Sequence, residues 1–276
     1  MEKDKSNRQM YPTGERIIPD YPGSHLSLQE HLCRYSLAKK YAENRTILDA
    51  GCGVGYGSYF LSQISHHVVG IDISLEAITY ATSKYHKQNL HFLIADVTNL
   101  PFGNESFDVV CSFEVIEHIQ DYRKYLHEIT RVLMSDGFLI LSTPNALCSS
   151  GRNPFHVKEF TPEEIRQELL IYFNNVYILG QSPKCSVINL SKVRRAVKLG
   201  FKFFKRLDYF GLRKIVPDKL RYKIDSEIEN HLVGIGSRLC RYKSPVRITI
   251  DDFQVLENGI EKAPVIIVIC QGIVKL

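Results

Sequence analysis

Residues 48–57 read Leu-Asp-Ala-Gly-Cys-Gly-Val-Gly-Tyr-Gly. Glycine at 51, 53 and 55 lets a backbone turn sharply and come close to a ligand. The spacing is not the GxGxxG of a dinucleotide fingerprint, and the Gly-Lys-Ser/Thr of a phosphate-binding loop is missing. Asp49, immediately before the glycines, would repel a pyrophosphate and suits a ligand that carries an ammonium group. Two more aspartates close apolar runs. Asp72 follows HVVGI at 67–71, where a carboxylate can accept two hydrogen bonds from a ribose diol. Asp96 follows LHFLIA at 90–95, where it can accept from an adenine amino group. Any one of these aspartates also fits a turn or a helix cap. All three in register after successive strands point to a nucleoside ligand.

A second constellation lies further on. Residues 114–118 read Glu-Val-Ile-Glu-His, and the spacing of Glu114, Glu117 and His118 predicts one shared face if the segment is a helical turn. Two carboxylates and an imidazole form a partial divalent-cation set, and His156, in NPFHVKEF, can approach from a neighbouring loop. The same residues also suit metal-free chemistry, with His118 or His156 as a general base. They equally suit a turn whose Glu and His only cap or pair.

These residues need elements to position them. Residues 26–42 have helical spacing at Leu28, Leu32, Tyr35 and Leu37, and Ser27 with Glu30 predicts a capping box. Strands are expected at 46–50, 67–71, 90–95, 107–112, from Gly137 to Thr143, at 175–180 and at 264–271. Helices are expected at 56–65, 75–87 (capped by Ser74), 121–134 and 161–171 (capped by Thr161, with Pro162 and Glu164). The strands are apolar and alternate poorly, as strands do when both faces are buried, so a parallel sheet with helices on both sides is expected. Such open sheets bind ligands beyond the carboxyl ends of their strands. Asp49, Asp72, Asp96, the 112–118 segment and residues 143–145 all fall there.

The chain of 276 residues is 44% hydrophobic and 24% charged, ordinary values that exclude a disordered or collagen-like protein. Its 7 cysteines are odd in number and lack CxxC spacing, against a disulfide scaffold or a zinc knuckle. No stretch is apolar for long enough to span a membrane, and the first ten residues have no apolar core of a secretory signal, so cytoplasmic residence is expected. Residues 182–248 hold 17 of the 35 Lys and Arg but 5 of the 30 Asp and Glu. That local balance of +12 reads either as a solvated helical surface or as a patch for an anionic partner. Phe201, Phe203, Phe204, Tyr209 and Phe210 interleave with those charges, as in an amphipathic helical cap or a peripheral membrane contact. No RNA-binding module adjoins the segment, so a nucleic-acid partner is disfavoured. The expected organisation is an arm at 1–25, a core at 26–181, the basic insertion at 182–248 and completion of the core at 249–276.

Five segments together resemble a class I S-adenosylmethionine-dependent methyltransferase: LDAGCGVG at 48–55, VVGIDIS at 68–74, IADVTNLPF at 94–102, FDVVCSFEVIEHI at 107–119 and LMSDGFLILSTPN at 133–145. The resemblance implies a Rossmann-like α/β sheet of seven strands in the order 3-2-1-4-5-7-6. PVIIVICQ at 264–271 would be the antiparallel last strand, and the basic helical insertion would precede it. It also implies S-adenosylmethionine as cofactor. Asp49, Gly51, Cys52 and Gly53 would surround its methionine part, Asp72 and Ile73 its ribose, and Asp96 and Val97 its adenine, with Phe113 beside them. Tyr11, Arg16, Arg34 and Tyr35 would belong to an N-terminal segment closing over it. The Glu114, Glu117, His118 and His156 set is similar to those of ubiquinone-type catechol O-methyltransferases and of small-RNA 2′-O-methyltransferases, the latter holding magnesium. TPN at 143–145, TGERIIP at 13–19 and EHLCRY at 30–35 resemble glycan- and quinone-associated members. The implied function is methyl transfer to a hydroxyl oxygen of a small-molecule or glycan-related acceptor, itself anionic if the basic segment faces it. The alternatives are an RNA ribose 2′-O-methyltransferase and a non-catalytic binding protein. The oligomeric state is left open.

Overall fold

The computed structural model describes residues 16–20, 24–149, 153–184 and 249–274. Tyr11 with most of the N-terminal arm, and the expected cap over 182–248 apart from residues 182–184, lie outside the described residues. The chain divides into two units, Met1–Ser182 with Gln254–Leu276, and Pro183–Phe253. The first carries the sheet and the site.

Helix α1 (His25–Ala42) leads into β1 (Thr46–Ala50), α2 (Tyr56–Leu61), β2 (His67–Asp72), α3 (Leu75–Lys84) and β3 (Leu90–Ile94). Then come β4 (Phe107–Phe113), a 3-10 turn (Ile116–His118), α4 (Tyr122–Val132), β5 (Leu133–Pro144), α5 (Pro162–Leu170) and β6 (Phe173–Pro183). Two strands close the chain, β7 (Phe253–Leu256) and β8 (Val265–Ile273). They form one sheet in the order β3-β2-β1-β4-β5-β8-β6-β7. β8 lies antiparallel to both β5 and β6, while the β3-β2-β1-β4-β5 ladder is parallel. The expected seven-strand order is present, with β8 in the place of the inserted last strand. The eighth strand, β7, went unforeseen: four edge residues are too few to show a period.

Each central strand buries side chains on both faces. Ile47, Val109, Ile140 and Ile267 pack with Tyr35, Ala38 and Leu61 under α1 and α2. Leu48, Val110, Leu141 and Val268 pack with Tyr125, Leu126, Ile129 and Ile165 under α4 and α5. This two-sided burial removes the polar alternation of a half-exposed sheet. Ser74 accepts from the Ala77 N–H, and Thr161 forms a capping box with Glu164, both as expected. The Ser27–Glu30 box is absent. Ser24 occupies the N-cap of α1 without a side-chain cap, which puts Ser27 inside the helix and frees Glu30 to face Arg34 one turn on. β5 starts at Leu133, directly after α4, because Leu133 pairs with Phe107 ahead of an irregularity that restores the register at Val109↔Phe138. β6 runs to Pro183, past the expected core boundary at 181. Cys52, Cys111, Cys148 and Cys270 are free thiols. No helix among the described residues is long and apolar enough to cross a membrane.

Gly57 in α2 marks the closest approach between elements. A Cβ there would lie 1.9 Å from Cζ of Tyr35. The Tyr35 ring cannot easily yield, since it is buried edge-on against Phe113 at 4.8 Å and donates its hydroxyl to Asp49. Helix propensity alone predicts that Gly57→Ala stabilises the chain by about 1 kcal/mol. Overpacking against a fixed ring costs about 1–3 kcal/mol. The clash wins, so Gly57→Ala should lower the melting temperature; an unchanged or raised value would refute this packing.

Candidate active site

The carboxyl ends of β1, β2 and β4 enclose a cavity of about 250 Å³, lined among others by Gly51, Cys52, Gly53, Asp72, Phe113 and His118. Its floor is the glycine loop. The Gly51 and Cys52 N–H groups both donate to the carbonyl of Ile71, at 2.9 and 2.8 Å, which ties the loop to the end of β2. Gly51, Gly53 and Gly55 have φ of 81°, 55° and 82°, a left-handed region open to glycine at no steric cost. A Cβ on Gly53 would meet nothing within 4 Å among the described residues, whereas one on Gly51 would strike Val115 at 2.4 Å. The loop thus presents bare backbone to the cavity and packs against the turn after β4.

Asp72 is oriented by backbone. Its Oδ2 accepts from the Gly53 N–H at 3.0 Å and its Oδ1 from the Ser74 N–H at 2.8 Å, and Arg16 lies 3.9 Å from Oδ1. Arg16, Ile73, Asp96 and Val97 line the same cavity. Asp96 Oδ1 accepts from the N–H and the hydroxyl of Thr98. His31, which the sequence did not single out, also lines the cavity and bonds the Tyr56 hydroxyl at 2.9 Å. Burial, then the nearby Arg34 charge, hold its imidazole well below the ordinary histidine range.

Asp49 does not line the cavity as expected. It is 1% exposed and sits behind the loop, accepting from the Ser58 hydroxyl at 2.6 Å and, through both oxygens, from the Tyr35 hydroxyl at 3.1 Å. Alternation along β1 turns its side chain toward α1 and α2. Burial pushes its carboxyl up to about 6, against the opposing effect of the Ser58 and Tyr35 hydrogen bonds.

The 114–118 segment does not form one helical face. Glu114 has φ 57°, which sends its side chain away from the 3-10 turn that follows. Its Oε1 accepts from the Ser142 hydroxyl at 2.8 Å and lies 3.4 Å from Nη1 of the buried Arg34. Glu117 is wholly buried; one carboxylate oxygen accepts from the Thr143 hydroxyl at 3.1 Å, and the other, Oε1, has no hydrogen-bond partner among the described residues. Burial, followed by the charge of Glu114, pushes the Glu117 carboxyl well above the usual range. The backbone carbonyl of Glu117 accepts from the Val157 and Lys158 N–H groups at 2.8 and 3.2 Å, which straps the 153–160 loop against the turn.

That strap brings His156 to His118, with ring centroids 5.0 Å apart. One ligand atom from each of Glu117, His118 and His156 lies within 4.8 Å of the others, so three of the four expected residues assemble and Glu114 does not. His118 Nδ1 lies 3.0 Å from the Phe155 carbonyl, and His156 Nδ1 lies 2.7 Å from the Glu159 carboxylate. Neither oxygen can donate, so both Nδ1 atoms carry hydrogen and a neutral ring keeps its lone pair on Nε2. For His156 that Nε2 faces the Asn153 amide at 3.0 Å. Rings pinned in this way by an oxygen acceptor are typical of metal ligands. The orphaned Glu117 oxygen is an acceptor that a cation would satisfy. A divalent ion would fit this donor set once the Asn153 amide gives up His156 Nε2. Glu159 was legible only as the i+3 neighbour of His156, while Ser142, Thr143 and Asn153 carried no local signal.

Asp49 makes stability depend on pH in a definite direction. The folded chain keeps this proton up to about pH 6, whereas the unfolded chain releases it near pH 4. The folded state holds more protons between those values, so stability falls as pH rises through the window and levels above it. Asp49→Asn should remove this slope, changing the wild-type-minus-variant stability by about 2–3 kcal/mol between pH 4 and 7 in urea unfolding. Parallel pH profiles for the two chains would contradict the burial described.

A family model described as a methyltransferase domain matches residues 48–141, from the middle of β1 into β5. A probable S-adenosylmethionine-dependent methyltransferase of Mycobacterium tuberculosis is 34% identical over 163 residues, covering 57% of this chain and 59% of the relative. The chain thus spans about three fifths of that relative's length. An uncharacterized protein of Methanocaldococcus jannaschii is 31% identical over 168 residues, covering 57% of this chain and 71% of its own. An O-methyltransferase of Penicillium expansum is 30% identical over 169 residues, covering 59% and 60%. The sheet order, the glycine loop set on β1 and these similarities agree: the chain belongs to the class I S-adenosylmethionine-dependent methyltransferases.

Proposed function

We propose that this chain transfers a methyl group from S-adenosylmethionine to a hydroxyl oxygen of a small-molecule acceptor in the cytoplasm. The observation that carries the reading is the position of His118, which lines the loop-floored cavity and also belongs to the Glu117–His156 cluster. One residue then serves both the cofactor side and the acceptor side. The similarity to a fungal O-methyltransferase supports an oxygen acceptor.

The residues present fit the cofactor. The bare loop at Gly53 admits a ligand, and the Asp72 carboxylate, steadied by two backbone donors, can accept from ribose hydroxyls. Asp96 and the backbone of Val97 would read the adenine edge. Bound there, the cofactor supplies a methyl already activated by its sulfonium. The protein must align the acceptor, exclude water and take the hydroxyl proton. His118 performs the last task through Nε2, its Nδ1 being held by the Phe155 carbonyl. The unpartnered Glu117 oxygen favours a second version, in which Glu117, His118 and His156 would hold a divalent cation and the cation would supply Lewis acidity to an acceptor hydroxyl.

Two measurements test the reading. Asp72→Ala removes a charged acceptor and should weaken S-adenosylmethionine binding by roughly 2–4 kcal/mol in calorimetry; affinity within twofold of wild type in a folded variant would refute the site. Candidate acceptors can be screened by mass spectrometry for gain of one methyl. On the acceptor so found, His118→Ala should lower kcat by about 100-fold or more, the scale of a lost acid–base group. Chelation abolishes turnover only in the cation version. A His118→Ala enzyme with wild-type kcat would defeat both versions.

A further inference from the structure

We propose that Glu114, held in place by Arg34, receives the ammonium group of the cofactor's amino-acid end, and so belongs to the cofactor half of the cavity. The inference rests on the S-adenosylmethionine reading above and assigns a role within it. An ammonium binds most strongly to an ionised acceptor, so an accessible carboxylate near the glycine loop is its best partner. Asp49 is excluded by its burial and by the two hydroxyls that occupy its oxygens. Asp72 and Asp96 line the cavity, but they stand at the ends of β2 and β3 with backbone N–H groups at 53, 74 and 98 already on their oxygens, the places this reading gives to ribose and adenine. Glu114 remains. It lines the cavity, and the next residue, Val115, packs so tightly on the loop that Gly51 has no room for a Cβ.

The local structure is built around that carboxylate. A left-handed backbone costs a non-glycine residue roughly 1 kcal/mol or more and persists where the surroundings enforce it. Here the Glu114 N–H donates to the Ser142 carbonyl at 3.0 Å while the Ser142 hydroxyl donates to Oε1. Arg34 is 2% exposed, a depth at which an unpaired guanidinium is strongly unfavourable. Gln181 fixes it, accepting from Nε at 2.6 Å and donating back to the Glu30 carbonyl at 2.8 Å. Glu30 lies 3.7 Å from Nη2, and Nη1 faces Glu114 at 3.4 Å with no hydrogen-bond partner among the described residues. Two carboxylates therefore face one guanidinium, and His31 beside them is kept neutral. A ligand ammonium at Glu114 would balance the surplus negative charge. Arg34 acts as a positioning residue: it aims Glu114 and does not itself line the cavity.

The test separates this role from a merely structural one by truncating the ligand. S-adenosylhomocysteine keeps the amino-acid end, and 5′-methylthioadenosine lacks it but shares the nucleoside. Both are titrated calorimetrically into the full chain. Glu114→Gln should weaken S-adenosylhomocysteine by about tenfold or more, the scale of one charge-assisted hydrogen bond, and leave methylthioadenosine within twofold. Arg34→Met should show the same selective loss, and Arg34→Lys should restore part of it. If Glu114→Gln does not fold, Glu114→Asp, which retracts the charge by one methylene, should give the same ligand-selective loss. Equal weakening of both ligands, or of neither, overturns the proposal. A wild-type chain that binds neither ligand overturns the cofactor reading on which it rests.

Discussion

One buried carboxylate ties together the elements that shape the cavity. Asp49 at the end of β1 accepts from Tyr35 in α1 and from Ser58 in α2, so a single side chain joins three elements behind the glycine loop. The Tyr35 ring, fixed by that bond, presses on Gly57 and stands edge-on to Phe113 at the end of β4. Its neighbour Arg34 is thereby carried inward to Gln181 and Glu114. An ionised carboxylate this deep is costly, and the raised carboxyl pKa is the visible sign of it. Three hydroxyl contacts offset much of that cost and leave a loop whose ligand-facing side is bare backbone.

The separation of Glu114 from Glu117 follows from a strand period. Ser142 and Thr143 are consecutive in β5, so their side chains leave the sheet on opposite faces. Ser142 holds Glu114 on the face covered by α1, and Thr143 holds Glu117 on the face covered by α4. The left-handed φ at Glu114 makes the chain reversal between them possible. Two carboxylates three residues apart thus come to serve different partners: a buried guanidinium for one, two imidazoles for the other.

The imidazoles depend on a different kind of contact. His118 comes from the turn after β4 and His156 from the loop after β5, and neither is placed by a helix or a strand of its own. Their meeting rests on the Glu117 carbonyl, which accepts two N–H groups of the incoming loop, and on the Phe155 carbonyl and Glu159 carboxylate that orient the rings. A main-chain strap of this kind fixes the distance between two loops without using a side chain, and one ligand atom from each of Glu117, His118 and His156 then lies within 4.8 Å of the others.

What the amino-acid order determined by itself was local or periodic. Apolar runs buried on both faces spelled a parallel sheet, Ser74 and Thr161 started helices through their own hydroxyls, and the glycines at 51, 53 and 55 marked a loop whose left-handed backbone they adopt at no steric cost. Asp72 was legible because a strand end and the loop after β1 meet in every sheet of this connection. What the tertiary structure decided was the direction of side chains and the meeting of distant ones. Asp49 looked like a ligand-facing acid until α1 and α2 closed over it, and Glu114 looked like a helical partner of His118 until its backbone turned left-handed. The Arg34–Gln181 bond joins residues 147 apart, and β7 is too short to show a period. The physical reason is the same in each case. Propensity and periodicity act over a few residues, whereas the orientation of a charged group is set by which distant donors and acceptors remain to satisfy it once water has been excluded.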